Sequence, residues 1–333
     1  MRAVVITRHG EADVLRVQQR PSPTLAPGGL RIEVRAAGVN FADVMARLGL
    51  YADAPPLPSV VGYEVSGVVT EIASDVTDFA VGDRVFAGTR FGGYAEEVCV
   101  RQQDAVPLPT SLSFEQGAAI PVNYATAWAG LIGYGNLQAG ERVLIHAAAG
   151  GVGIAATQIA ARHGAQVYGT SSPGKHDAIR GFGVEVALDY RKRGWEKNLP
   201  PMDVVMDALG GASLRRSYRL LRPGGRLVAF GASSVVSGDK RNLLKALPQA
   251  LNMIRGFNAM DQMTESKAVI GLNMLRLWDD RGTLEPWITP LRALIDDGTV
   301  APVVSDVVPF DRAAEAHRIL TERRNVGKVV LVP

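Results

Sequence analysis

The sequence predicts an α/β protein in two parts, a β-rich first part and a doubly wound parallel sheet. Three observations carry that prediction. Short apolar runs alternate with Gly and Pro through residue 122. From Tyr124 onward, strand and helix patterns alternate. Between residues 142 and 164 a buried strand, a set of glycines and a helix follow one another without a break. The chain has 333 residues, room for about two domains.

In the first part the predicted strands are 3–6, 30–36, 65–71, 84–87 and 96–100, and Pro121 marks its approximate end. The second part opens on the most informative stretch. Residues 143–147 read as a buried strand, Gly150–Gly153 as a tight turn, and Ile154, Ala155, Ile159 and Ala160 as the apolar stripe of a helix that Gly164 stops. Such glycines let the backbone approach a pyrophosphate, and the helix N-terminus offers it free N–H groups. Residues 143–161 carry no Asp, Glu, Lys or Arg, but the glycines and the weakly apolar Ala, Thr and Gln argue against a membrane span.

Further strands are predicted at 166–170, 184–188, 203–207, 226–230 and 269–272, then a helix at 313–322 and a last strand at 328–332. One insertion, 237–266, is longer than an ordinary crossover. Its Leu243, Leu244, Leu247, Ala250, Leu251, Met253, Ile254 and Phe257 approach helical spacing, with Pro248 expected to kink or start a helix. It reads as a helix on the sheet, as a lid over an apolar ligand, or as a surface for peripheral membrane contact.

Composition bounds the function. The chain is 47% hydrophobic and 21% charged, with a formal net charge of +3. The longest basic run is Arg191-Lys192-Arg193, too short to point to a nucleic acid. The single cysteine, Cys99, permits no internal disulfide. With an N-terminal apolar run too short for a signal peptide, it predicts a cytoplasmic protein.

Cofactor preference is read at the end of the second parallel strand, where an acid would bind the 2′-hydroxyl of NAD. Here the strand runs into Ser171-Ser172-Pro173-Gly174-Lys175 with no carboxylate before Asp177. Ser171 can hydrogen-bond a 2′-phosphate and Lys175 can neutralise it, which predicts NADPH. Phe230-Gly231 ends a later strand and Asp207 another, both before small-residue turns at the edge where ligands bind and backbone groups can meet a nicotinamide amide, or Asp207 only caps the next helix. Asn123 and Thr126 open the first helix of the second part, as nicotinamide contacts or as caps.

These residues, with Ala37-Gly38-Val39-Asn40-Phe41-Ala42-Asp43, Gly62-Tyr63-Glu64-Val65-Ser66-Gly67-Val68-Val69, Val81-Gly82-Asp83-Arg84-Val85, Gly92-Gly93-Tyr94-Ala95-Glu96 and Ala148-Ala149-Gly150-Gly151-Val152-Gly153, identify a resemblance. The chain resembles the medium-chain dehydrogenase/reductase superfamily in its zinc-independent NADPH:quinone oxidoreductase branch. Residues 121–124, 240–244 and 325–329 are most similar to the sub-branch named after a synaptic vesicle membrane protein. The resemblance implies a GroES-like catalytic domain from 1–122 and 276–333 and a Rossmann domain from 123–275. It implies 2′-phosphate contacts from Lys175 and Tyr190, further cofactor contacts at Ala149, Gly150, Gly151, Val152, Gly153 and Asn325, and a homodimer joined at the 269–272 strand.

Zinc-dependent relatives carry Cys and His where this chain has Asn40 and Tyr63, and its five histidines lack ligand spacing, so no metal is expected. The expected reaction reduces a quinone or an α,β-unsaturated carbonyl (an enone), or alternatively an enoyl thioester. Negative charge developing on the substrate oxygen then needs donors. Asn40 offers an amide, and Tyr51 and Tyr63 offer phenols. A non-catalytic NADPH-holding protein acting through lipid or protein contact is the reading from another class.

Overall fold

The computed structural model describes residues 1–236 and 257–333, so the 237–256 part of the insertion lies outside the described residues. The short β runs of the first part form two sheets. In the smaller, β1 (Arg2–Ile6) pairs antiparallel with β2 (Leu15–Gln19) and with β4 (Ser59–Val60). The larger is built around β3 (Gly29–Val39), whose Leu30, Ile32, Val34 and Ala36 alternate into the core. It runs β15 (Val304–Pro309), β16 (Lys328–Val332), β3, β5 (Glu64–Ile72), β6 (Arg84–Gly88), β8 (Ala105–Pro107), with β7 (Glu97–Arg101) also on β3. Four of these strands escape the sequence pattern. β2 buries one residue fully, β4 has two residues, and β8 and β15 each end in proline.

Among the described residues the second part is a six-stranded, wholly parallel sheet. Its order is β11 (Val186–Asp189), β10 (Gln166–Ser171), β9 (Arg142–Ile145), β12 (Met202–Asp207), β13 (Leu221–Ala229), β14 (Ala268–Gly271). The chain order 3-2-1-4-5-6 reverses between β9 and β12, which opens a crevice beyond their carboxyl ends. β12 is buried along all six residues, as a central parallel strand requires. Of the insertion, the described end forms a helix, Ala259–Glu265, whose N-cap Asn258 accepts from the Asp261 N–H.

The two parts share a core. Trp278, Trp287, Ile288 and Leu291 from the helices Met274–Arg281 and Glu285–Asp296 pack with Phe86 and Val106 of one part and Tyr124 and Ile145 of the other. Helix α3 (Pro121–Trp128), started by its proline, lies at this seam. Among the described residues no helix is long and apolar enough to cross a membrane.

Candidate active site

The junction after β9 folds around close contacts. Ala147 adopts a left-handed φ of 53°, and its carbonyl accepts from the Gly150 N–H at 2.9 Å. The turn therefore falls at 146–150, a few residues before the predicted one, and helix α4 (Gly151–Arg162) already contains Gly151 and Gly153. These two glycines serve packing. A Cβ on Gly153 would lie 2.3 Å from the Ala147 carbonyl oxygen, and one on Gly151 would lie 2.5 Å from the Asn123 amide nitrogen. Ala149 and Gly153 are buried while Gly150, Gly151 and Val152 are half-buried. No side chain caps α4, so its first N–H groups are left without an intrahelical partner. The helix ends at Arg162, and Gly164 takes the left-handed conformation, as the sequence pattern predicts.

A cationic cluster stands at the end of β10. Ser171 is buried and its hydroxyl donates to the Ser172 carbonyl at 3.2 Å. Lys175 donates through Nζ to the carbonyls of Arg323 (2.8 Å) and Asn325 (2.5 Å). Burial lowers its pKa, and Arg191 adds to that. The guanidiniums of Arg191 and Arg323 lie 5.8 and 6.0 Å from the Tyr190 ring centroid. Burial alone would raise the Tyr190 phenol, but these two arginines outweigh it and hold it below its usual value. Asp189 sits opposite Ser171 in the sheet and turns back to accept the Arg191 N–H. The loop with Asn325 docks on the glycine junction, since the Gly327 N–H donates to the Ala149 carbonyl at 2.9 Å. Sequence reading missed Arg191 and Arg323 as site residues; both stand in short basic runs that resemble ordinary surface charge.

Across the crevice, Asn40 follows β3 directly and caps helix α1 (Phe41–Arg47). Its amide donates to Glu64 Oε1 at 2.9 Å, and its Oδ1 accepts from Lys328 Nζ at 2.6 Å. The Asn40 and Gly62 backbone N–H groups both donate to Asp43, at 2.8 and 3.1 Å, which holds the Tyr63 segment against α1. Tyr63 packs edge-on to Tyr51, with centroids 6.3 Å apart, and against Phe91 at 5.0 Å. Its hydroxyl is buried with no hydrogen bond of normal geometry. Burial raises both phenols above their usual values, Tyr63 the more strongly, with Asp43 adding to it. Both are therefore donors throughout the neutral range. Asn123, buried on α3, donates to the Ala119 carbonyl, and Thr126 is buried one turn further on.

Phe230 and Gly231 follow β13, where the Phe230 N–H donates to the Asp207 carbonyl at 3.1 Å. The Asp207 carboxylate accepts from the N–H groups of Leu209 and Gly210 and from the Ser217 hydroxyl. It braces the turn after β12, while Gly211 is the residue at the N-cap of helix α6 (Ala212–Leu220). Cys99 is half-buried on β7, not deep in the core, and burial raises its thiol pKa. Among the described residues no group of three His, Cys, Asp or Glu is placed to hold a metal ion.

The structure thus gathers Ser171, Lys175, Tyr190 and Asn325 at one end of the crevice and Asn40, Tyr51 and Tyr63 at the other. The glycine junction and Asn123 lie between. Bare backbone, free N–H groups and cations in series fit a pyrophosphate with an additional phosphate.

The fold and site define an oxidoreductase of the two-domain dehydrogenase type. Residues 26–110 match the alcohol dehydrogenase GroES-like domain family and 182–331 the zinc-binding dehydrogenase family. The Homo sapiens synaptic vesicle membrane protein VAT-1 homolog is 38% identical over 341 residues, spanning 100% of this chain and 86% of that protein. The Escherichia coli quinone oxidoreductase, solved in complex with NADPH, superposes with a TM-score of 0.85 at 28% identity, covering 100% of both chains. The CurK enoyl reductase structure gives a TM-score of 0.85 at 26% identity, covering 99% of this chain and 98% of its own. The chain belongs to the medium-chain dehydrogenase/reductase superfamily, in its quinone oxidoreductase-like branch.

Proposed function

We propose that the protein is a zinc-independent, NADPH-dependent reductase of quinones or α,β-unsaturated carbonyl compounds. The observation that carries the cofactor reading is the cluster of Lys175, Tyr190, Arg191 and Arg323 near Ser171, beside which the carboxylate of Asp189 is turned back onto the Arg191 N–H. These residues hold the 2′-phosphate, the first turn of α4 holds the pyrophosphate, and Asn123, Thr126, Phe230 and Gly231 border the nicotinamide. When bound, NADPH supplies the hydride. The protein's own part is to orient the acceptor and stabilise charge on its oxygen. Asn40 donates through its amide, and Tyr51 or Tyr63 donates a hydrogen bond or a proton from its phenol. Residues 1–122 with 276–333 form the catalytic half of this scheme and 123–275 the cofactor half. Copies pair along the β14 edge of the parallel sheet, and the protein works in the cytoplasm.

Purified protein with NADPH and a panel of quinones, enones and enoyl thioesters tests the reading. Acceptor-dependent NADPH oxidation is expected. Tight NADPH binding without any such oxidation would overturn the enzyme reading in favour of a cofactor-holding protein that acts by lipid or protein contact. Turnover confined to enoyl thioesters would select the second reading, which the likeness to the CurK enoyl reductase supports.

A further inference from the structure

Lys328 and Glu64 form an ion pair inside the protein, their side chains 3% and 0% exposed. Each opens a strand that lies beside the end of β3. Val329 faces Val39 in antiparallel register, which sets Lys328 next to Asn40, while Val65 faces Ala37. The ends of an amide have the same shape and opposite chemistry. Lys328 can only donate and an ionised Glu64 can only accept. They hold Asn40 the same way round, with Oδ1 on Lys328 Nζ and Nδ2 on Glu64 Oε1. Glu64 is itself fixed, because its Oε2 accepts the Val122 N–H at 2.7 Å, and Lys328 also reaches Asn123 Oδ1 at 3.5 Å.

With Oδ1 and one Nδ2 hydrogen engaged, the polar function left on Asn40 is its second N–H. We propose that Lys328 is a positioning residue that restricts Asn40 to donating, and that this selects acceptors presenting a carbonyl oxygen lone pair to the cleft. Lys328 acts through Asn40 and does not touch the reacting atoms. The inference rests on the carbonyl-reduction reading for its substrate class, but the orientation of the amide does not.

Two measurements on the full chain test it. The first needs no turnover. The Asn40 side-chain amide is observed by 15N–1H NMR, assigned by its loss in Asn40→Ala. In the wild type the two Nδ2 protons are expected as a well-separated pair exchanging slowly with water, and in the neutral Lys328→Met/Glu64→Gln variant they move together and exchange faster. Identical Asn40 signals in both proteins would overturn the positioning role. The second is a double-mutant cycle on kcat/KM. Lys328→Met should lower it about tenfold with Asn40 present and leave it within about twofold in an Asn40→Ala background. Lys328→Arg should restore part of the loss, and NADPH affinity should stay within about twofold throughout. Equal losses in both backgrounds would mean that Lys328 acts independently of Asn40. A wild type without acceptor-dependent oxidation would remove the carbonyl reading and leave the amide signals to decide on Lys328.

Discussion

Lys175 donates from its side-chain nitrogen to the backbone carbonyl of Asn325, 150 residues further along the chain, at 2.5 Å. That contact fixes a cation at the end of β10 without using a carboxylate, so the charge stays available to an anion. Lys175→Ala should weaken NADPH binding by about ten- to a hundredfold, the worth of a charge-assisted contact. NADH binding should change far less. Fluorescence titration with both nucleotides checks this, and equal losses would contradict the 2′-phosphate assignment.

The paired tyrosines should separate by variant. Tyr63→Phe removes a buried hydroxyl that has no hydrogen bond of normal geometry. Its melting temperature should hold or rise, since an unsatisfied buried polar group costs about 1–3 kcal/mol. Whichever phenol donates the proton should lose roughly a hundredfold or more in turnover as Phe. Steady-state rates for Tyr51→Phe and Tyr63→Phe identify it, and two unchanged rates would remove both from the chemistry.

Gly153→Ala should be far more damaging than Gly151→Ala. The first pushes a methyl against the Ala147 backbone oxygen, while the second meets a movable Asn123 side chain. Thermal melts and NADPH titration of the two variants should rank them in that order, and the reverse order would contradict the packing role of Gly153.

The Lys328–Glu64 pair makes a stability prediction of its own. Lys328→Met leaves a buried carboxylate unpaired and should cost about 3–5 kcal/mol. Lys328→Met/Glu64→Gln should recover much of that. Urea unfolding measures both, and a double variant no more stable than the single one would show that the pair is not the source of the loss.

Asp43 and His317 should oppose each other in acid. Burial pushes the Asp43 carboxyl up to about 6, against the hydrogen bonds it accepts from Asn40, Tyr94 and Gly62. Burial, with Arg47 nearby, pushes His317 down to about 3. A raised carboxyl contributes stability that is complete below its unfolded value near 3.9 and is lost as pH rises through about 6. A depressed histidine contributes stability that is complete above its unfolded value near 6.5 and is lost as pH falls toward about 3. Between about pH 4 and 6 the two slopes cancel, each worth about 1.4 kcal/mol per pH unit. Asp43→Asn should therefore lose stability on acidification over that window, and His317→Gln should gain it. Parallel urea-unfolding profiles for the wild type and both variants would contradict the opposition.

Much of this was legible in the residues. The parallel sheet declared itself because buried parallel strands are continuous apolar runs, and 203–207 falls on β12 within one residue. The glycine junction was visible as a motif, but its turn was placed late because the bend rests on Ala147, a residue with no turn signature. Edge strands such as β2 and β15 bury too little to leave a period. Lys328 carried a signal that went unread: it is a charge at the head of an otherwise apolar strand, which requires a partner. Its pairing with Glu64 was not readable, because only the sheet brings residues so distant in sequence together.

Helix Ala313–Thr321 and strands β15 and β16 complete a sheet whose other members come from the first third of the chain. On the ribosome, the far end of β3 must therefore wait with one edge bare until β16, some 290 residues later, has emerged. A bare strand edge invites foreign pairing. Asn40 stands next to that end, so its amide is oriented only once β16 has emerged, and a nascent chain stalled before β16 would carry the whole parallel sheet beside an unfinished antiparallel one.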